Sequence, residues 1–179
     1  MKVALFLISG FEEVEALTAV DILRRGNVQV TTVSLTGKLL VEGKHAIFVQ
    51  ADALFEDVAR NVFDMLVIPG GTIAYMEHVP FMQYIENNAQ SGKQLAAICA
   101  APAVFGKLGL LNGKKAVCYP GMEEWLTGAT IGTENVVTDG DITTSRGPGT
   151  AIPFALRLLA IAQGEEMAKK VAQDCLVDY

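Results

Sequence analysis

Gln94-Leu95-Ala96-Ala97-Ile98-Cys99-Ala100-Ala101-Pro102 is the stretch on which the fold turns. Its first five residues are apolar after Gln94, the pattern of a strand covered on both faces rather than one that alternates between core and water. Pro102 suits the first turn of a helix, where its missing N–H has no helical partner in any case. A buried strand that runs directly into a helix is the repeating unit of a parallel α/β sheet. Cys99 stands at the join, between alanines small enough for a sharp turn.

Outward from this unit, similar runs at Lys2–Ile8, Gln29–Ser34, Met65–Ile68 and Lys115–Cys118 read as further strands. Glu12–Arg25 carries an apolar helical stripe at Ala16, Ala19, Val20 and Leu23, with acidic residues at its start, Arg24 and Arg25 at its end and Gly26 as its stop. A second helix begins at Pro80, a third follows Cys99, and a fourth runs from about Thr150 to Gln163 before Gly164. Val136–Val137 and Ile142–Thr144 flank the turn dipeptide Asp139-Gly140, so one antiparallel hairpin is expected beside the parallel strands. The expected fold is an α/β sandwich with helices on both faces of a mostly parallel sheet.

With 179 residues, 51% hydrophobic and 19% charged, the chain suits one domain over residues 1–179 and is too apolar for disorder. Lys+Arg 14 against Asp+Glu 20 leaves a net charge of -6, the wrong sign for holding nucleic acid through phosphates. Runs such as Val3–Ile8 stop far short of the ~20 residues of a membrane-spanning helix. Glu12, Glu13 and Glu15 stand where a signal-peptide cleavage site needs small residues. Cys99, Cys118 and Cys175 form neither a disulfide framework nor a metal pair. A cytoplasmic protein without nucleic-acid or membrane partners, resident metal or cofactor is expected.

In open parallel sheets chemistry gathers beyond the carboxyl ends of the strands, and three segments fall there. Cys99, before a helix, meets free N–H groups that favour the thiolate over the thiol; the competing reading is a small packed hydrophobe. Val67-Ile68-Pro69-Gly70-Gly71 ends a strand in paired glycines. Their N–H groups, with that of Ala100, suit an oxyanion formed by attack on a carbonyl; taken alone the motif is an ordinary turn. Ser9-Gly10-Phe11-Glu12-Glu13-Val14-Glu15 brings carboxylates into the first helix, where each is also explained by the helix dipole. Helical spacing does not separate Glu15 from Glu12.

Four motifs in order carry a family resemblance: Gly10-Phe11-Glu12-Glu13-Val14-Glu15, Ile68-Pro69-Gly70-Gly71, Ala96-Ala97-Ile98-Cys99-Ala100-Ala101-Pro102 and Thr144-Ser145-Arg146-Gly147-Pro148-Gly149-Thr150. The chain resembles the ThiJ/PfpI superfamily over nearly its whole length, most of all the branch of the parkinsonism-associated protein deglycase and its bacterial relatives. The resemblance implies a flavodoxin-like three-layer sandwich of the class I glutamine amidotransferase type, usually dimeric. It makes Cys99 the match of the family's reactive cysteine and Glu15 that of the protonated glutamate that hydrogen-bonds it. Gly71 and Ala100 match backbone donors of the family's small pocket. The peptidase-like branch has a histidine directly after its cysteine; Ala100 stands there, which argues against a peptidase.

One departure matters. Where related members place a histidine near the cysteine, this chain has Tyr119, and a phenol is a poor base at neutral pH. Its histidines, His45 and His78, lie elsewhere: His78 in a loop that points toward the cleft, His45 where it can approach from a partner subunit. Each also reads as a surface or structural residue. Cys118 reads as core and Cys175 as a bystander near the C-terminus. Arg146, in a glycine-rich turn, suits phosphate, but a dinucleotide fingerprint would need glycine at Ile152. The segment therefore reads as a rigid turn that supports the cysteine pocket. The expectation is a cofactor-independent cysteine enzyme of the deglycase or glyoxalase type, a homodimer acting on methylglyoxal, glyoxal or their early adducts on amines and thiols. The alternative is a redox-sensing or chaperone-like stress protein that oxidises Cys99 without turnover.

Overall fold

The structure, a computed structural model, describes residues 1–178; Tyr179, the last residue of the expected domain, lies outside them. The strands are β1 (Lys2–Leu7), β2 (Gln29–Ser34), β3 (Leu40–Glu42), β4 (Phe48–Gln50), β5 (Ala53–Leu54), β6 (Met65–Ile68), β7 (Gln94–Ile98), β8 (Lys115–Ala116), β9 (Thr130–Ile131), β10 (Val136–Asp139) and β11 (Ile142–Ser145). The helices are α1 (Glu13–Arg25), α2 (Phe55–Val58), α3 (Val79–Gln90), α4 (Pro102–Lys107), α5 (Ala151–Gln163) and α6 (Glu165–Asp174). Seven strands make one sheet in the order β10-β11-β7-β6-β1-β2-β5. All neighbours in it are parallel except β10, which pairs antiparallel with β11. The fold is the flavodoxin-like three-layer α/β sandwich.

Apolar residues on both sides of each strand build two cores. Val3, Leu5 and Leu7 of β1 face one side and join α1, α5 and α6 through residues such as Leu23, Phe154 and Val171. Ala4 and Phe6 face the other and pack with Tyr75, Phe81, Tyr84 and Phe105. Phe6 meets the Phe81 ring at 4.8 Å between centroids. This two-sided burial is why the strands read as continuous apolar runs. The chain passes from β1 to β2 on one side and returns through β6 on the other, so the strand order reverses between β1 and β6. Such a switch point leaves a crevice at the carboxyl ends of the strands, and Glu15, the Gly70-Gly71 pair and Cys99 follow β1, β6 and β7 there.

Several boundaries and one strand differ from the sequence reading. Lys115–Cys118 is not a strand of the main sheet: only Lys115–Ala116 is extended, paired with β9 in a separate two-stranded unit. Side chains of the hairpin already occupy its donors, Lys115 N–H giving to Asp139 Oδ2 (2.7 Å) and Val117 N–H to Thr144 Oγ1 (3.0 Å). The expected β10–β11 hairpin forms, but Asp139 still pairs with Ile142, so the turn falls on Gly140-Asp141. A second antiparallel hairpin, β3–β4, was not expected. Glu12 precedes α1 rather than opening it, and α3 starts at Val79, one residue before Pro80. After Gly164 the chain turns into α6, whose buried Ala168, Val171 and Ala172 recur at helical spacing. Cys118 is buried in the second core, and Cys175 ends α6, partly buried.

Candidate active site

Cys99 has φ +65°, the left-handed region that a residue with a Cβ enters at a cost of roughly 1–2 kcal/mol. Backbone bonds on both sides hold it there: its N–H donates to Ser145 O at 3.0 Å and its carbonyl accepts from Tyr119 N–H at 2.8 Å. A strained residue fixed by its surroundings is characteristic of a nucleophile turn. The first of these supports belongs to the Ser145–Thr150 turn. Thr150 Oγ1 lies 2.7 Å from Ser145 Oγ, accepts from Gly147 N–H at 3.1 Å and donates to Gly147 O at 2.9 Å.

The glycine pair admits this geometry. A Cβ on Gly70 would fall 2.6 Å from Cys99 Cβ and 2.8 Å from Glu15 Oε2. At Gly71, with φ +87°, it would meet Glu12 N and Gly10 O at 2.5 Å. The Gly70 amide is not free to hold an oxyanion, contrary to expectation, because it donates to Glu15 Oε2 at 2.7 Å. Its role is to orient the carboxyl. The amides of Gly71 and Ala100 face the Cys99 sulfur and favour its anionic form.

Glu15, 1% exposed, distinguishes itself from its neighbours here. Oε2 accepts from Gly70, whereas Oε1 is buried with no hydrogen-bond partner among the described residues. Burial pushes its carboxyl up to about 7, against the opposing Gly70 N–H and Cys99 interactions. Burial, followed by the Glu15 charge, pushes the Cys99 thiol up to about 12, with the Gly71 and Ala100 amides opposing. The helix start therefore does not depress the thiol as the sequence suggests: α4 has six residues and begins three positions beyond Cys99. Two acids this close titrate as a unit. One proton leaves the pair near neutral pH and the other only far into base.

Cys99 opens on a cavity of about 560 Å³ lined by Glu12, Lys44, His45, Gly71, Thr72, Ile73, Ala100, Tyr119, Met122, Trp125 and Pro148. That volume suits a small-molecule ligand. Tyr119, half exposed, is on its wall. Arg146 is not: it lines a neighbouring cavity of about 290 Å³ with Cys118 and Glu123. His78 also stands apart, its Nδ1 accepting the Phe81 N–H at 3.1 Å to cap α3 and its ring packed edge-on to Phe55. His45 is the residue the sequence underrated. It lines the cavity of its own chain, at the tip of the β3–β4 hairpin, with Nδ1 2.9 Å from Glu13 Oε2. Among the described residues no helix is long and apolar enough to cross a membrane.

Comparison with known proteins agrees with this architecture. The chain is 36% identical to protein dj-1beta of Drosophila melanogaster, over 99% of this chain and 98% of that one. It is 31% identical to glutathione-independent glyoxalase DJR-1.2 of Caenorhabditis elegans, over 87% of this chain and 84% of that protein. It is 39% identical to protein DJ-1 homolog B of Arabidopsis thaliana, but there the match takes in 96% of this chain and 40% of the longer plant protein. Among solved structures, oxidized Toxoplasma gondii DJ-1 superposes with a TM-score of 0.95 at 34% identity, covering 99% of both chains. Residues 1–161 match the model of the DJ-1/PfpI family, and the chain belongs to that family.

Proposed function

We propose that the protein is a cofactor-independent glyoxalase or deglycase that acts through Cys99 on methylglyoxal, glyoxal or their early adducts on amines and thiols. The observation that carries this reading is the buried Cys99–Glu15 pair, with one unpartnered carboxyl oxygen, beside two backbone donors on a small cavity. In the singly protonated pair, the form with its proton on Glu15 Oε1 leaves a thiolate on Cys99, stabilised by the Gly71 and Ala100 amides. The thiolate adds to the aldehyde carbon, the C–S bond forms, and the new oxyanion takes the Glu15 proton to give a hemithioacetal. Glu15, now a carboxylate, carries the aldehyde C–H proton to the adjacent carbon. The hemithioacetal becomes a thioester without any external oxidant. Water releases the hydroxy acid, lactate from methylglyoxal, and restores the thiol. The relative named as a glutathione-independent glyoxalase supports this class of reaction.

The competing reading, oxidation of Cys99 without turnover, is favoured by the oxidized state of the Toxoplasma gondii structure and by the same cavity access. One experiment separates them. Purified protein is incubated with methylglyoxal in the absence of glutathione while lactate is followed by NMR, and a parallel sample is treated with mild peroxide and analysed by mass spectrometry. Lactate formed over many turnovers is expected. No lactate, with a stoichiometric gain of two oxygens at Cys99, would establish the sensor instead.

A further inference from the structure

We propose that His45, held by Glu13, is a second acid–base group of the cavity and acts on the substrate oxygen one carbon removed from the Cys99 adduct. The inference rests on the glyoxalase reading above. Its basis is the way the hairpin tip is built around a buried carboxylate. Glu13 is 3% exposed, and its oxygens are committed to the tip: Oε1 accepts from His45 N–H at 2.7 Å and Ile47 N–H at 3.4 Å, Oε2 meets His45 Nδ1 at 2.9 Å. Gly43 makes room for this, since a Cβ there would lie 2.3 Å from Glu13 Oε1. Ala46 takes φ +61° to close the turn, a strained conformation for a non-glycine residue. The tip is also docked on the loop after β1, through Gly10 N–H to Glu42 O at 2.9 Å and Lys44 N–H to Phe11 O at 2.8 Å.

The result is an oriented imidazole rather than a loose surface side chain. Glu13 fixes Nδ1, while Nε2 has no protein partner among the described residues and the ring lines the cavity that contains Cys99. A carboxylate–imidazole pair with one free ring nitrogen is the general arrangement for moving a proton to and from a reacting oxygen. The charged groups that face the ring are Glu13, Glu12, with Oε1 at 3.5 Å, and Lys44. The Glu13 hydrogen bond and then the Glu12 charge raise the His45 pKa above that of a free imidazole, against burial and Lys44.

In the hemithioacetal, Glu15 takes the C–H proton while His45 gives its Nε2 proton to the neighbouring ketone oxygen, forming an enediol. The carbon proton then returns from Glu15 to the former ketone carbon, and the hydroxyl on the sulfur-bearing carbon gives its proton back to Nε2, leaving the thioester. Both groups end as they began. From the hemithioacetal onward, Glu15 serves the two carbons and His45 their oxygens.

The test compares wild type with His45→Gln, which keeps polarity at an exposed position, and with Glu13→Gln as the positioning variant. Methylglyoxal kinetics are measured against pH, with iodoacetamide modification of Cys99 as a readout independent of turnover. His45→Gln is expected to lose about 10²-fold in kcat, with the alkylation rate unchanged and without the fall in kcat expected of wild type as His45 deprotonates at high pH. Glu13→Gln, if it folds, moves that fall to lower pH. Wild-type kcat with the same basic limb in His45→Gln overturns the assignment while leaving the Cys99 chemistry standing. A wild type that forms no lactate overturns the glyoxalase reading and this inference with it.

Discussion

A Cys99→Ala protein is expected to fold as its parent does and to lose at least ~10³-fold in methylglyoxal turnover. The contrast follows from what holds residue 99. Its strained conformation is fixed by backbone bonds from Ser145 and Tyr119, which alanine retains, and alanine enters φ > 0 at a cost comparable with that of cysteine. The lost sulfur contacts amount to about 1 kcal/mol, or roughly 2–4 °C in Tm for a chain of this size. The chemistry, by contrast, loses the atom that forms the covalent intermediate. Thermal unfolding and lactate production check the two halves together. Turnover that survives in Cys99→Ala would move the reaction elsewhere in the molecule.

Gly71→Ala is expected to lower both stability and activity. The new Cβ would meet Glu12 N, Gly10 O and Phe11 C between 2.5 and 2.8 Å, all backbone atoms that cannot rotate away. Overpacking of this kind costs roughly 1–3 kcal/mol, and φ +87° adds roughly 1–2 kcal/mol. The strain falls on the loop that leads into α1 and on the amide that faces the Cys99 sulfur, so activity falls more than stability alone explains. Urea denaturation should show the lower midpoint. A variant as stable and active as wild type would mean that the loop after β1 yields easily and that the Gly71 donor is dispensable.

The central sheet was legible because two-sided burial writes itself as short apolar runs, and β1, β2, β6 and β7 were found with their ends within a residue. The join at Cys99 was legible for a related reason: small residues between a buried strand and a proline permit the sharp strand-to-helix turn without a clash. Lys115–Cys118 has the same composition as those strands, yet its neighbours are hairpin side chains, and local sequence carries no record of what satisfies a donor 24 or 27 residues away. The β3–β4 hairpin has three-residue strands, too short for a period.

Among the carboxylates, capping accounted for Glu12, Glu13 and Glu15 equally well while their burial was unknown. In the structure all three are less than 10% exposed, which an interaction of a few tenths of a kcal/mol does not explain. Glu15 is then separated by its contact with Gly70, and Glu13 by the docking of a hairpin 32 residues further along the chain. Gly43 was the one sequence sign of that docking, and it reads as an ordinary turn glycine until Glu13 is placed beneath it. The depressed thiol pKa expected from the helix start failed for a quantifiable reason. Cys99 is only 9% exposed and its sulfur faces an acid, and both push the same way.

The pH dependence of Cys99 alkylation, compared in wild type and Glu15→Gln, tests the shared-proton pair most directly. In wild type the iodoacetamide rate should rise in two steps, the first as the pair loses one proton near pH 7 and the second far into base, where the remaining proton leaves. Glu15→Gln leaves burial in place but removes the charge that adds to it in holding the thiol up, so its rate should rise in a single step below the second step of wild type. A single step near the unperturbed ~8.5 in both proteins would contradict the pair and return Cys99 to an ordinary buried cysteine.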